Sequence, residues 1–381
     1  MGEYQYYEFQ AVDRPLTDHE IHELRACSSR ATITRTRFVN FYDWGDFKGS
    51  ASTWIEKYFD AFLYVADWGS HAFHLRLPRR VLDLRTARRY CRGESLTARE
   101  KGEFVVLQFD SEDEEENSGD EDGSGWLSSL MPLRADIAGG DYRALYLAWL
   151  LCAERRELDD DDLEPPFPLG LKTLTAPLEA LVDFLRIDRD LIAVAAERSP
   201  ESREGTSSKA FERWIASLPD SEKSAFLLRL ATSNEALVRA ELSRRFRETA
   251  GKRRPPTVVP RTVATLLAAA ERRTEERIER EAELVAQARA RQEAEMAASR
   301  EKYLERLAKR EAETWRRVDE LIATRRSSDY DQAVRLLRDL RELAAKKGRR
   351  AEADRRIRKL RERHAKKASF LNRLRKLGTR G

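Results

Sequence analysis

Apolar and polar residues alternate in two stretches of the first fifty residues. Residues 3–12 (EYQYYEFQAV) and 31–42 (ATITRTRFVNFY) repeat at a period of two and predict strands. Thr17-x-x-Glu20 is a capping box that opens a short helix to about Cys27, with Ile21 and Leu24 on one face. A second short helix is expected from Thr53 to Tyr58. Residues 60–68 and 71–77 flank Gly69-Ser70 and predict a β-hairpin that Pro78 ends. Residues 79–90 read as helical and 103–110 (EFVVLQFD) as a further strand. The first 165 residues therefore predict an α+β domain with an antiparallel or mixed sheet.

The period then changes. Residues 139–157 are apolar almost all round (Leu145, Leu147, Trp149, Leu150, Leu151), the pattern of a deeply buried helix. Asp159–Asp162 and Pro165-Pro166 end it and mark a boundary. Residues 171–250 read as a small helical domain. One or two helices fall over 176–198, with Asp188 able to open the second. A linker spans 199–209, and three short helices follow over 209–248, Asn234 being a plausible N-cap. Residues 251–260 (GKRRPPTVVP) form a second linker.

No Gly or Pro occurs from Arg261 to about Thr324, and as one helix those residues would span roughly 95 Å; the long charged helix is expected within 256–326. Val263, Val285, Met296, Leu307 and Val318 recur at multiples of eleven, a nearly straight stripe. Three readings follow: a strut held by intrahelical pairs such as Glu276–Arg280, Glu305–Lys309 and Glu313–Arg317; a coiled coil with a partner helix from this chain or another copy; or a nucleic-acid-binding helix. The third is weakened because acids (12) outnumber bases (11) over 271–313. Residues 327–381 predict an αα-hairpin. Tyr330, Ala333, Val334, Leu337, Leu340 and Ala344 share one face, Gly348 breaks the chain, and Ala353, Ile357, Leu360 and His364 form a second stripe. One such unit cannot bury its own face, so it should dock on the long helix or on a partner.

Charge sharpens the picture. Of 381 residues 36% are charged; residues 1–170 carry 20 Lys/Arg and 33 Asp/Glu, and residues 346–381 carry 16 and three. The sorting concerns partners rather than fold. Residues 111–125 hold eight acids and no base and read as a solvated, disordered loop without calcium-loop spacing. The cations Lys346, Lys347, Arg349, Arg350, Arg355, Arg356, Arg358, Lys359, Arg361, Arg363, Lys366 and Lys367 cover the hairpin's loop and outer face and could take an anionic partner, nucleic-acid phosphate or an acidic protein surface. Only Phe370 lies nearby as an aromatic, so base stacking is unsupported.

Candidate chemistry is sparse. His19-x-x-His22 is a conceivable zinc pair without a third ligand. His71 and His74 have odd spacing on a strand and should face opposite sides. Cys91 with either of them would be a nucleophile–base pair only if the fold joins them. His364 reads as a packed histidine. No Gly-rich phosphate loop, nucleophile elbow or cofactor motif occurs. Cys27, Cys91 and Cys152 fit a reducing cytoplasm, the first ten residues lack a secretory pattern, and no 18-residue apolar run occurs.

Read together, the opening YQYYEFQAVDRPL, the WGDFKG turn, FLYVADWGSHAFHLRLPRR, APLEALVDFLRID and the tail DYDQAVRLLRDLRELAAKKG resemble a family of bacterial proteins with no assigned activity, over nearly the whole chain. The tail also resembles the C-terminal helical hairpin of bacterial SWIM zinc-finger proteins. That resemblance implies a helical tail; the family's Cys-x-Cys…Cys-x-His zinc pattern does not occur in this sequence. The combined expectation is a cytoplasmic interaction or scaffold protein, with a nucleic-acid-associated protein and an enzyme with an unrecognised N-terminal site as alternatives.

Overall fold

The computed structural model describes residues 4–45, 47–112, 122–200, 208–232, 235–250 and 259–378. The core of the expected acidic loop (113–121), linker residues 201–207, Asn234 and segment 251–258 lie outside the described residues. The chain divides into two compact units, Met1–Arg277 and Ile278–Gly381.

The first unit opens with β1 (Gln5–Gln10), α1 (Asp18–Cys27), β2 (Thr32–Ile33), β3 (Arg37–Tyr42), α2 (Ala51–Lys57), β4 (Ala61–Ala66), β5 (Ser70–Pro78), α3 (Leu84–Ala87), β6 (Leu96–Lys101) and β7 (Phe104–Glu112). The seven strands form one sheet in the order β2-β3-β1-β4-β5-β7-β6, each neighbour antiparallel. The Thr17–Glu20 capping box forms as expected, both reciprocal bonds present. Residues 31–42 fold back as two short strands, because Thr34 N–H donates to Arg37 O and closes a turn. Of the helix expected over 79–90, only the four residues of α3 are helical.

Strand alternation sorts side chains to two faces. Tyr6, Leu63, Phe73, Leu75, Leu107 and Phe109 point into the larger core. It is closed by α4 (Trp126–Leu130), α5 (Pro132–Ala138), α6 (Arg143–Glu154), α7 (Ala176–Leu185) and α8 (Arg189–Glu197). Every residue from Ala144 to Ala153 is buried, which is why α6 is apolar all round. Asp188 caps α8 through Asp190 N–H. Phe9, Phe38, Phe62 and Val106 form the second core with Leu24 of α1 and Trp54 and Ile55 of α2. Three more helices follow, α9 (Ser208–Ser217), α10 (Asp220–Thr232) and α11 (Glu235–Ala250), before α12 (Val263–Lys309).

Two buried charge clusters lock this unit. Asp60, 1% exposed, accepts Val12 and Asp13 N–H at 2.7 and 2.8 Å and pairs with Arg76 at 2.9 Å; Arg134 adds Asp13 at 2.7 Å. Glu164 accepts from Arg261 at 2.8 Å and from the Tyr146 hydroxyl, tying the chain just before α12 to α6. Val263, Leu266 and Leu267 then join the larger core.

The second unit holds α12 from Ile278 on, α13 (Glu311–Ala323), α14 (Ser327–Lys346), α15 (Arg350–Arg363) and α16 (Ala368–Gly378). The helix expected to run to Thr324 ends at Lys309; Arg310 leaves the helical region (φ −121°, ψ 20°) and α13 begins. Charge explains the site of the break. Arg306 and Lys309 sit at the carbonyl end of α12, and Glu311 and Glu313 at the amide end of α13, each sign complementing its helix dipole. Of the expected intrahelical pairs, Arg317 takes Glu320 at 2.9 Å rather than Glu313. The buried face of α14 (Tyr330, Ala333, Leu337, Leu340) packs on Trp315, Val318, Leu321 and Ile322 of α13 and on Leu360, Phe370 and Leu374. Leu343 packs on Leu304 and Leu307 of α12. The hairpin thus docks on its own chain. Gly348, at φ +72°, makes the break between α14 and α15 without the strain a side chain would meet there.

Candidate anion-binding site

Packing on α14 fixes how α15 is turned. Ala353 and Leu360 are buried, so residues one or two places along the helix look outward or toward α13. Arg355, Arg356, Lys359 and Arg363 then line a groove of ≈ 400 Å³ whose other members are Asp319, Glu352 and Leu360. Trp315, 4% exposed, lies under one side: the Arg356 guanidinium carbon is 4.2 Å from its ring centroid. That contact holds the cation in place without neutralising it. Arg363 reaches Asp319 at 3.4 Å. Four cations against two carboxylates leave the groove at +2 (4 − 2).

The cations expected from sequence fall into three groups. Six are engaged within the unit. Lys346 faces Glu301 at 3.8 Å, Lys347 and Arg349 both hold Glu311 at 3.1 Å, and Arg350 pairs with Asp354 at 3.9 Å. Arg363 holds Asp319, and Lys367 donates to Ile322 O near the end of α13. Burial of Glu311 raises its affinity for a proton, but the bonds from Lys347 and Arg349 outweigh it and hold the carboxyl below its usual range. Arg356 is stacked. Among the described residues, Arg355, Arg358, Lys359 and Lys366, together with Arg361, make no ion pair.

Trp315, Asp319 and Glu311 escape a sequence reading of the tail because they lie in α13, some 40 positions earlier. A signal for them exists in the switch from basic (Arg306, Lys309, Arg310) to acidic (Glu311, Glu313), a helix end followed by a helix start. His364 is half-buried beside the groove and edges the Phe370 ring at 6.2 Å. Its Nε2 has no partner, and desolvation, then the Lys367 charge, lower its pKa.

The remaining candidates are dispersed. His19 and His22 are exposed on α1, His19 lying 3.9 Å from Glu23. His71 packs against Phe184 and His74 against Phe62, on opposite faces of the sheet. His74 Nε2 lies 3.2 Å from Asp110. Burial alone pushes the Cys91 thiol up to about 12, the reverse of what a nucleophile needs. Among the described residues no group of three or more His, Cys, Asp or Glu is arranged to hold a metal ion, and no helix is long and apolar enough to cross a membrane. No family model, curated protein or solved structure gives a significant match to the chain.

Proposed function

We propose that this protein acts by contact, as an interaction protein, and that its C-terminal unit takes the phosphate backbone of a nucleic acid along α15. The observation that carries this is the row of cations on α15 and the turn after it that pair with no acid, beside a groove of net positive charge. Ion pairs elsewhere in the unit show that acids are at hand to neutralise cations; these positions are left open. Phosphate contacts from points of charge, without aromatic stacking, give binding that ignores sequence.

The test is the affinity of the full chain for a labelled 30-base-pair duplex and a 30-nucleotide single strand across a salt series. Three to five neutralised phosphates give a duplex log–log salt slope of about −3 to −4.5. The variant Arg355→Glu/Lys359→Glu, at exposed positions, should lose most of the affinity with unchanged helicity. A chain that binds neither nucleic acid at 50 mM salt removes the phosphate reading. Salt-sensitive capture of an acidic peptide in its place would assign the surface to protein.

A further inference from the structure

A second surface stands apart from the basic one. On α12, Leu284 is 65% exposed, and Ile278, Val285, Met296 and Tyr303, which fall on one line along the helix, are 55%, 52%, 64% and 40% exposed, the Tyr303 hydroxyl donating to Asp339. With Ala282, Arg289, Gln292 and Ser299 they recur at alternating spacings of four and three, a seam of period 3.5. The seam is nearly the same read in either direction from its midpoint between residues 290 and 291. Reversed on itself, it sets Ile278 against Tyr303, Ala282 against Ser299, Val285 against Met296, and Arg289 against Gln292.

The flanks agree. In the same reversed alignment Glu279 meets Arg300 and Glu281 meets Lys302, while Ala286 meets Glu293 and Ala288 meets Glu295. No like charges face each other. Alignment in the same direction would instead set Arg289 against Arg289 in the seam. Arg300 already holds Asp339 and Glu342 through Nη2 at 2.5 and 2.6 Å and Glu342 through Nε at 3.4 Å, and its Nη1 takes neither. We propose that residues 278–303 of α12 pair antiparallel with the same segment of a second copy of this chain. This goes beyond the anionic-partner reading and does not depend on it.

The full chain should sediment as a dimer of twice 44.1 kDa at tens of micromolar. Val285→Asp/Met296→Asp, at exposed positions, should leave it monomeric with unchanged helicity. Glu281→Lys turns two attractive contacts per dimer repulsive and should weaken association roughly tenfold; adding Lys302→Glu should restore it. Direction is read by oxidation. Val285→Cys with Met296→Cys should give a covalent dimer rapidly, and Val285→Cys alone should not. A chain monomeric at 100 µM overturns the proposal, and so does crosslinking by Val285→Cys alone at the rate of the pair. Duplex binding measured on the aspartate variant reads the basic surface separately.

Discussion

Truncating Glu164 to alanine should destabilise the first unit by far more than the loss of four heavy atoms suggests. The side chain is fully buried, and its carboxylate receives Arg261 Nη2 at 2.8 Å, Arg261 Nε at 3.1 Å and the Tyr146 hydroxyl. Burial, with the Glu164 charge beside it, raises the Tyr146 phenol well above its usual value, so it remains a donor at any working pH. Without the carboxylate, the Arg261 guanidinium, 7% exposed, stays inside with the Val194 carbonyl at 3.0 Å as its nearest acceptor. Breaking a buried pair from one side costs about 3–5 kcal/mol, because the surviving charge is uncompensated. For a unit of this size that is a fall in Tm of roughly 6–20 °C. The double variant Glu164→Leu/Arg261→Met removes both charges and should recover most of the loss. Urea unfolding of the full chain, followed by tryptophan fluorescence and far-UV circular dichroism, reads both. A single variant costing less than about 1 kcal/mol, or a double variant no better than the single, refutes the reasoning.

Two further outcomes follow from the pKa directions. Desolvation lowers the His364 pKa below the unfolded value, so the neutral ring's contribution is complete above about pH 6.5 and is lost as pH falls from there through the lower folded value; the unfolding midpoint should drop between pH 7.5 and 5.5 more in the natural chain than in His364→Gln, and equal drops would contradict it. Burial pushes the Cys91 and Cys152 thiols to about 12, leaving roughly one thiolate in 10⁴ at pH 8, so fast reaction with a disulfide reagent belongs to Cys27 and should vanish in Cys27→Ser until urea is added.

Where one element carries its own signal, the sequence reading and the structure agree. The Thr17–Glu20 box, the Gly69-Ser70 hairpin, the apolar run of α6 and the buried face of α14 each need only neighbours a few residues away. β6 is missed because LTAREK alternates weakly and, on an edge, buries only Leu96 fully. Residues 79–90 hold helix-forming arginines, yet Pro78 and the need to reach β6 leave room for one turn. The basic surface is legible as composition but not as geometry. Which cations stay unpaired depends on Glu301, Glu311 and Asp319, which approach the tail only through the packing of α12 and α13 on α14.

Both rims of the seven-stranded sheet are poor templates for adding another chain's backbone. One ends in the two residues of β2. The other is β6, whose Arg99 and Lys101 are drawn to Glu56 at 3.0 and 3.4 Å, setting charge along the outermost strand. Short and charged margins of this kind resist fibril-like stacking. Backbone addition at these margins is therefore disfavoured as a route by which copies of the chain would join.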